Sequence, residues 1–268
     1  MINYRNINRN VMLDTQHQYE TMPELVAAVK GSISRQYMVA EEDNIDQQAV
    51  ACHTRFVVSP KRSFEAAKGY PGKMVTVLNF ANNHSVGGAP FSAGAQEESL
   101  CRCSTLYPCL QAMNDAFYRK HQYQYAQGII NHVGNDDLIF TPDVVVFKSD
   151  ERTAIIEPTM LPHDEWYKVN VITCAAPELR RGPMPADYEA RITSRIKKIL
   201  DVAAREKTEV LILGAWGCGA FRNPPETVAR VFVSLLKRYD FETVEFAITS
   251  DRMKNIFAQA CEHLDCNS

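Results

Sequence analysis

Along this chain, short runs of apolar and β-branched residues alternate with longer segments whose apolar positions recur at helical spacing. MVTVLNF (74–80), DVVVFK (143–148), VNVITCAA (169–176), EVLILGAW (209–216) and TVEFAIT (243–249) are of the first kind and predict buried strands. Residues 21–40, 96–110, 185–206, 225–239 and 251–264 are of the second kind and predict helices. Thr21 offers an N-cap for the earliest of these, with Pro23 in its first turn. Pro108 marks an end or a kink in the second. In 185–206, Ile192, Ile196, Ile199, Leu200 and Ala203 share one side; in 225–239, Val228, Val231, Phe232, Leu235 and Leu236 do. Residues 41–70, with the strand-like FVVSPKRSF, and residues 111–142, with Tyr118, Tyr123 and Tyr125, receive no firm element.

Strands that alternate with helices, each strand nearly all apolar, predict an α/β fold whose sheet is covered on both faces. The chain has 268 residues, enough for one large domain of this kind. No repeat, low-complexity tract or Pro/Gly/Ser linker divides it. The reading is a single domain over 1–268, with about 1–70 as an N-terminal extension packed on it.

Charge narrows the function. The formal net charge is −3 and no Lys/Arg block stands out, which speaks against direct nucleic-acid binding. A polyanionic ligand would have to be held locally, by backbone amides or a few side chains. The opening MINYRNINRNVMLDTQ is polar, and no stretch reaches the ~18 consecutive apolar residues of a membrane span. A cytoplasmic protein without membrane contact is expected. The cysteines, including Cys101 and Cys103, form no CxxC pair, so reduced thiols are expected rather than a zinc site. The seven histidines, His263 among them, form no HExxH pattern, and no metal or cofactor is expected.

In open sheets covered by helices, ligands bind at the carboxyl ends of strands. Two loops there carry chemistry. The first reads NFANNHSVGGAPFSAGAQEESLCR. Its glycines let backbone N–H groups converge, and a helix starting near Gln96 adds unpaired N–H groups and a positive dipole end. This suits a diphosphate. Glu97 and Glu98 adjoin in the first turn of that helix, about 100° apart, so they cannot share one task. Taken alone, such acids would more often serve only the helix dipole. His84 is read as a loop-surface residue and Trp216 as a packing residue. The second loop reads ILGAWGCGAFRNPPETVAR, a strand, a glycine turn and a helix in succession, with Phe221 at its end for a sugar or base. It is neither a Walker A loop nor the GxGxxG fingerprint of dinucleotide oxidoreductases.

Together, NFAN, GGA-x6-QEE and LGAWGCGAFRNPPETVA resemble the microbial-type poly(ADP-ribose) glycohydrolases of the macrodomain superfamily. EESLCRCSTLYPCL and VNVITCAAPELR are similar to that family's catalytic helix and middle strand, and the likeness runs from about residue 20 to the end. The resemblance implies a macrodomain-like three-layer α/β/α fold with a mixed central sheet and an N-terminal helical extension. It also implies site residues. Glu98 would be the catalytic acid, and Glu97 would hold the distal ribose or the loop. Asn82 would bond the distal ribose hydroxyls. Gly87 and Gly88 would lie beside the diphosphate with Ala89, and Gln96 opens the QEE triplet. Gly217, Cys218, Gly219 and Ala220 would offer backbone amides to phosphate, and Phe221 would pack beside the distal ribose. Ala89 stands where the family signature has a third glycine. If that position needs a positive φ, alanine is strained there.

The expected activity is cleavage of the ribose–ribose O-glycosidic bond of poly(ADP-ribose), releasing ADP-ribose. The expected partners are ADP-ribose, its polymer and ADP-ribosylated proteins. Two alternatives stand beside it: a mono-ADP-ribosyl-protein hydrolase, and an ADP-ribose-binding module without catalysis, against which the paired glutamates argue.

Overall fold

The computed structural model describes residues 3–149 and 158–262; His263 and Cys266 lie outside the described residues. Two helices come first, α1 (Tyr4–Thr21) and α2 (Pro23–Arg35), then strands β1 (Tyr37–Val39) and β2 (Arg55–Ser59) and helix α3 (Ser63–Ala67). Strand β3 (Val75–Phe80) leads into α4 (Gln96–Cys103) and α5 (Leu106–Ala112). A π-helical turn (Asn114–Arg119) and α6 (Lys120–Ala126) precede β4 (Leu138–Val146). A small ribbon of β5 (Lys148–Ser149) and β6 (Thr159–Met160) is followed by β7 (Tyr167–Cys174), α7 (Tyr188–Arg205), β8 (Val210–Leu213), α8 (Pro225–Leu236), β9 (Thr243–Ala247) and α9 (Asp251–Cys261).

Seven strands form one sheet in the order β1-β4-β7-β3-β8-β9-β2. The pairs from β7 through β3, β8 and β9 to β2 are parallel, and β4 runs against both β7 and β1. The sheet is therefore mixed, as expected. Its inner strands are buried on both faces, and alternate residues serve different layers. Leu78, Ile172, Leu211, Leu213, Val244 and Phe246 face one core with Ile192, Ile196, Ile199, Val228 and Phe232 of α7 and α8. Val75, Val77, Val171, Val210 and Ile212 face the other, with Phe64, Leu100, Leu106 and Leu110 from α3, α4 and α5. Three layers result.

Several boundaries differ from the sequence reading. Thr21 ends α1 rather than capping α2, whose N-cap is Met22; residues 37–39 leave the helical segment to become an edge strand. The segment 96–110 breaks at Ser104, not at Pro108. Thr105 pairs with β4 instead, its N–H donating to Val145 O at 3.0 Å and its Oγ1 accepting from Val145 N at 3.0 Å. Pro108 sits in the first turn of α5, where its missing N–H has no intrahelical partner to lose. The unassigned residues 41–70 and 111–142 supply β2, α3, α6 and half of β4. Among the described residues, no helix is long and apolar enough to cross a membrane.

Helix α1 is tied to the chemistry-bearing loops. Thr15 Oγ1 donates to Arg102 O at 2.6 Å, and Asn8 Nδ2 donates to Ser92 O and Ala93 O at 3.2 and 3.0 Å. Arg102 in turn donates to Pro90 O and Ala93 O. The N-terminal helix thus braces the segment that leads into α4.

Candidate active site

Strands β7, β3, β8 and β9 are parallel neighbours, so the segments leaving their carboxyl ends emerge along one edge of the sheet. A cleft of about 570 Å³ lies there, lined from both glycine loops. That volume suits a nucleotide-sized ligand.

The triplet at the start of α4 holds the first loop. Gln96 Oε1 accepts the N–H of Phe80 at 2.9 Å, while its Nε2 donates to Leu78 O at 2.8 Å and Ser63 Oγ at 3.0 Å. Glu97 Oε2 accepts the N–H of Asn82 at 2.8 Å, and its Oε1 accepts from Asn79 Nδ2 at 3.2 Å. Glu98 Oε1 accepts the N–H of Ala89 at 3.1 Å. Three consecutive side chains therefore catch three backbone donors of the strand and loop before them. The acids are spent on the loop rather than on their own helix, whose N-cap residue, Ala95, makes no side-chain bond.

The two glutamates differ. Both are buried. Glu97 has bonds on both oxygens, and burial pushes its carboxyl up to about 8, against the pull of the Asn82 and Asn79 donors. A neutral Glu97 leaves less negative charge facing an anionic ligand. Glu98 Oε2 has no hydrogen-bond partner within the protein although it is buried, and Glu98 lines the cleft. A buried carboxyl oxygen left without a partner is costly, which sets Glu98 apart from its satisfied neighbour.

Glycine is required at two points of this loop. Gly88 has φ +68°, and a Cβ there would collide with Glu98 Oε1 and lie 3.1 Å from Glu97 Oε2. Gly87, at φ +62°, is packed against Cys101 Sγ and Tyr107, each 2.9 Å from where its Cβ would be. Ala89 is absent from the residues with positive φ, so the alanine in place of a third glycine carries no backbone strain. Asn82 Oδ1 accepts the N–H groups of His84 and Ser85 at 2.8 and 3.0 Å, which curls the loop.

The second loop is held by packing and by one amide. Asn223 Nδ2 donates to Pro177 O at 2.8 Å and Gly217 O at 3.0 Å, and its Oδ1 accepts from Tyr188 OH at 2.9 Å. Trp216 is buried and donates from Nε1 to Cys174 O at 2.9 Å, consistent with a packing role. Phe221 lies at the loop's end with Arg180 Cζ 5.5 Å from its ring centroid.

The structure brings Asn82, Gly88, Ala89, Gln96, Glu97, Glu98, Gly217, Gly219, Ala220 and Phe221 to one cleft. Gly87 and Cys218 do not line it. Gly87 is buried beneath the loop, and the Cys218 thiol turns toward Trp216 O. His84 lies outside the lining, its ring edge-on to Tyr125 at 5.2 Å. Sequence reasoning missed Asn79 beneath Glu97, Arg180 after β7, Lys61, Arg62 and Ser63 after β2, and Thr249, Ser250 and Met253 after β9. The rule that ligands sit at strand carboxyl ends, applied to every parallel strand, would have pointed to the last three groups. Among the described residues, no group of three or more His, Cys, Asp or Glu side chains is placed to hold a metal ion.

Comparison with known proteins identifies a family. The family model of the microbial-type PARG catalytic domain matches residues 7–149. A search of the curated proteins finds no match. The crystal structure of poly(ADP-ribose) glycohydrolase from Thermomonospora curvata bound to the inhibitor ADP-HPD is 28% identical, with 94% of this chain and 98% of that chain covered and a TM-score of 0.80. The enzyme from Deinococcus radiodurans in complex with ADP-ribose is also 28% identical, covering 88% of this chain and 97% of that one at a TM-score of 0.76. The matched stretch exceeds half of the sequence and contains the whole of the first loop, and on that ground this chain belongs to the family of microbial-type PARG catalytic domains.

Proposed function

We propose that the chain hydrolyses the ribose–ribose O-glycosidic bond of poly(ADP-ribose) and releases ADP-ribose, with Glu98 as general acid and then general base. The observation that carries this reading is the state of Glu98: one oxygen pinned by the Ala89 N–H, the other without a protein partner, in a cleft sized for a nucleotide. The relatives bound to ADP-ribose and to ADP-HPD support the choice of ligand.

In this reading the diphosphate lies between the two glycine loops: the second offers backbone amides around Gly217, Gly219 and Ala220, and the first packs its Gly88–Ala89 backbone beside it, the N–H groups of those two residues being given to Ser85 O and Glu98 Oε1. Asn82 serves the distal ribose through Nδ2, since its Oδ1 is occupied within the loop. Phe221 packs on that sugar. Glu98 holds its proton on Oε2 and gives it to the leaving ribose oxygen as the bond to the anomeric carbon breaks. The sugar becomes oxocarbenium-like, and the adjacent diphosphate offsets its positive charge and helps position a water. Glu98, now a carboxylate, takes a proton from that water as its oxygen bonds to the anomeric carbon. Glu97 fixes the loop and Gln96 fixes the helix to β3, so neither needs to touch the reacting atoms. Ordinary glycosidases use two carboxylates for this work; here Glu98 serves as acid and base in turn, while the substrate's own diphosphate offsets the cationic charge and positions the water. ADP-ribosylated proteins, which present such chains, are the macromolecular partners.

Release of ADP-ribose from enzymatically made polymer tests the reading. Glu98→Gln is expected to lower turnover roughly 100- to 10,000-fold, the range of positioned acid–base help, with ADP-ribose binding retained. Near-wild-type turnover in that variant would overturn the mechanism.

A further inference from the structure

The segment after β7 carries a device that the chemistry above leaves unused. Glu178 is only 5% exposed and stands where the chain passes from the buried end of β7 to the exposed Arg180 and Arg181. Its Oε1 accepts from both Nε, at 2.9 Å, and Nη2 of Arg180, and its Oε2 pairs with Arg181 Nε at 3.1 Å. Two guanidinium groups share one carboxylate, so the cluster keeps a net positive charge. A buried carboxylate is costly unless paired and bonded. Here the pairing fixes two otherwise mobile arginine heads in place.

The backbone locks the cluster to the cleft. Leu179 N–H donates to Phe221 O at 3.0 Å, and Glu178 N–H donates to His132 O at 3.3 Å. Arg180 lines the cleft, its guanidinium lies over the Phe221 ring, and its side chain remains 41% exposed. The other cations lining the cleft, Lys61 and Arg62, follow β2. In the sheet order β7-β3-β8-β9-β2, they stand at the opposite end from Arg180.

We infer that Arg180, braced by Glu178 and stacked on Phe221, is a specificity-determining residue that holds the diphosphate of the ADP-ribose unit next in the chain to the one being released, with Arg181 adding to its field. This rests on the hydrolase reading above. There, the backbone amides of the second glycine loop take the diphosphate of the departing unit, and Phe221 packs on the ribose at the scissile bond. The polymer must continue beyond that ribose, and the cation on the adjoining ring is placed to meet it. A planar guanidinium suits a phosphate better than a point charge does, because its N–H groups form a fork. A ligand of one unit has no second diphosphate, so the contact would separate polymer from monomer.

The test measures binding without turnover. In a Glu98→Gln background, the affinities for poly(ADP-ribose) and for ADP-ribose are compared with and without Arg180→Ala. The expected result is about fivefold weaker polymer binding, as for one solvent-exposed charge contact, with a smaller change for ADP-ribose. The slope of log affinity against log salt should become shallower by about 0.7, the loss of one phosphate contact on a flexible strand. Arg180→Lys should restore that slope with part of the affinity, and Glu178→Gln should weaken polymer binding in the same direction as Arg180→Ala. Equal losses for both ligands would mean that Arg180 only props Phe221, and would overturn the inference; so would no loss, or no polymer binding at all. A wild-type protein that binds polymer yet releases no ADP-ribose would instead sink the hydrolase reading, leaving the Arg180 contact to be decided by binding alone.

Discussion

The two glycine loops face each other across one cleft and are built by different means. In residues 81–98, polar side chains from α4 hold the backbone: Gln96, Glu97 and Glu98 each accept one N–H, from Phe80, Asn82 and Ala89. In residues 214–223, shape does most of the holding. Gly217 is pressed against Ala176, and Asn223 ties the turn to Pro177 and Tyr188. The first loop places its ionisable groups at the cleft; the second presents backbone and an aromatic ring. In the proposed mechanism, chemistry and containment are thus divided between two turns that leave adjacent parallel strands.

The same substitution, glycine to alanine, should break the two loops in different ways. Gly88→Ala is expected to lower kcat by about 100-fold or more, because the added methyl displaces the Glu98 carboxyl from the Ala89 N–H, and such misplacement of a catalytic group is severe. The atoms it meets are the ends of side chains, so stability should fall mainly by the roughly 1–2 kcal/mol of the left-handed backbone. Gly217→Ala meets the Ala176 methyl and an Asn223 amide 2.6 Å away, neither of which can swing aside. Overpacking of about 1–3 kcal/mol then adds to the same backbone penalty, and thermal unfolding should drop while the folded fraction keeps most of its turnover. Thermal melts and kcat measured on both variants check this. Equal activity losses would show that the second loop is chemical as well as structural.

Glu97 offers a smaller effect with a definite sign. Its carboxyl sits near 8 in the fold, above the 4.5 of an ordinary glutamate, because it is buried. Below 4.5 it is protonated whether the chain is folded or not. As pH rises toward 8 the unfolded chain loses the proton first, so the stability contributed by this group is full at low pH and is lost as pH climbs through the folded value. Ionised Glu97 also adds a negative charge beside the anion site, so ADP-ribose affinity should weaken several-fold across pH 7–9. Glu97→Gln should flatten both profiles. Calorimetric titrations across pH 7–9 and denaturant melts from pH 4.5 to about 8 decide it, and an unchanged slope in the variant would refute the assignment.

Much of this was legible in the chain, and the rest was hidden for identifiable reasons. Strands β3, β7, β8 and β9 were readable because each is an apolar run buried on both faces, as Val75–Phe80 and Val210–Leu213 are, whereas β4 was read only in its second half and the short ribbon of β5 and β6 was not read. The paired loops were readable because glycine and adjacent acids are rare in combination. Helix α1 was not: only Val11, Met12, Thr15 and Tyr19 of its eighteen residues are buried, and its value lies in bonds to Arg102, Ser92 and Ala93 that no local pattern announces. The edge strand Tyr37–Val39 is three residues long and looked like a continuation of the helix. The break at Ser104 comes from pairing with β4, a tertiary gain that overrides helical spacing. Asn79 reads as one polar residue in a strand, and only the fold sets it beneath Glu97.

Ala89 gives the finest test of the division between the loops. The family signature has glycine there, which suggests a backbone that alanine cannot adopt. The structure removes that reason, since φ at Ala89 is not positive and its N–H already reaches Glu98. Two effects then remain for Ala89→Gly. The freer unfolded chain should cost about 0.4–1 kcal/mol of stability. The lost methyl should widen the approach to the diphosphate slightly. Turnover on polymer should therefore stay within about threefold of the parent, as expected when no barrier-determining contact of more than a fraction of a kcal/mol is touched. A tenfold gain would instead mean that the methyl intrudes on the bound ligand. In that case the first loop would be a matter of shape as much as of charge, and the contrast with the second loop would have to be redrawn around the space left for the phosphates.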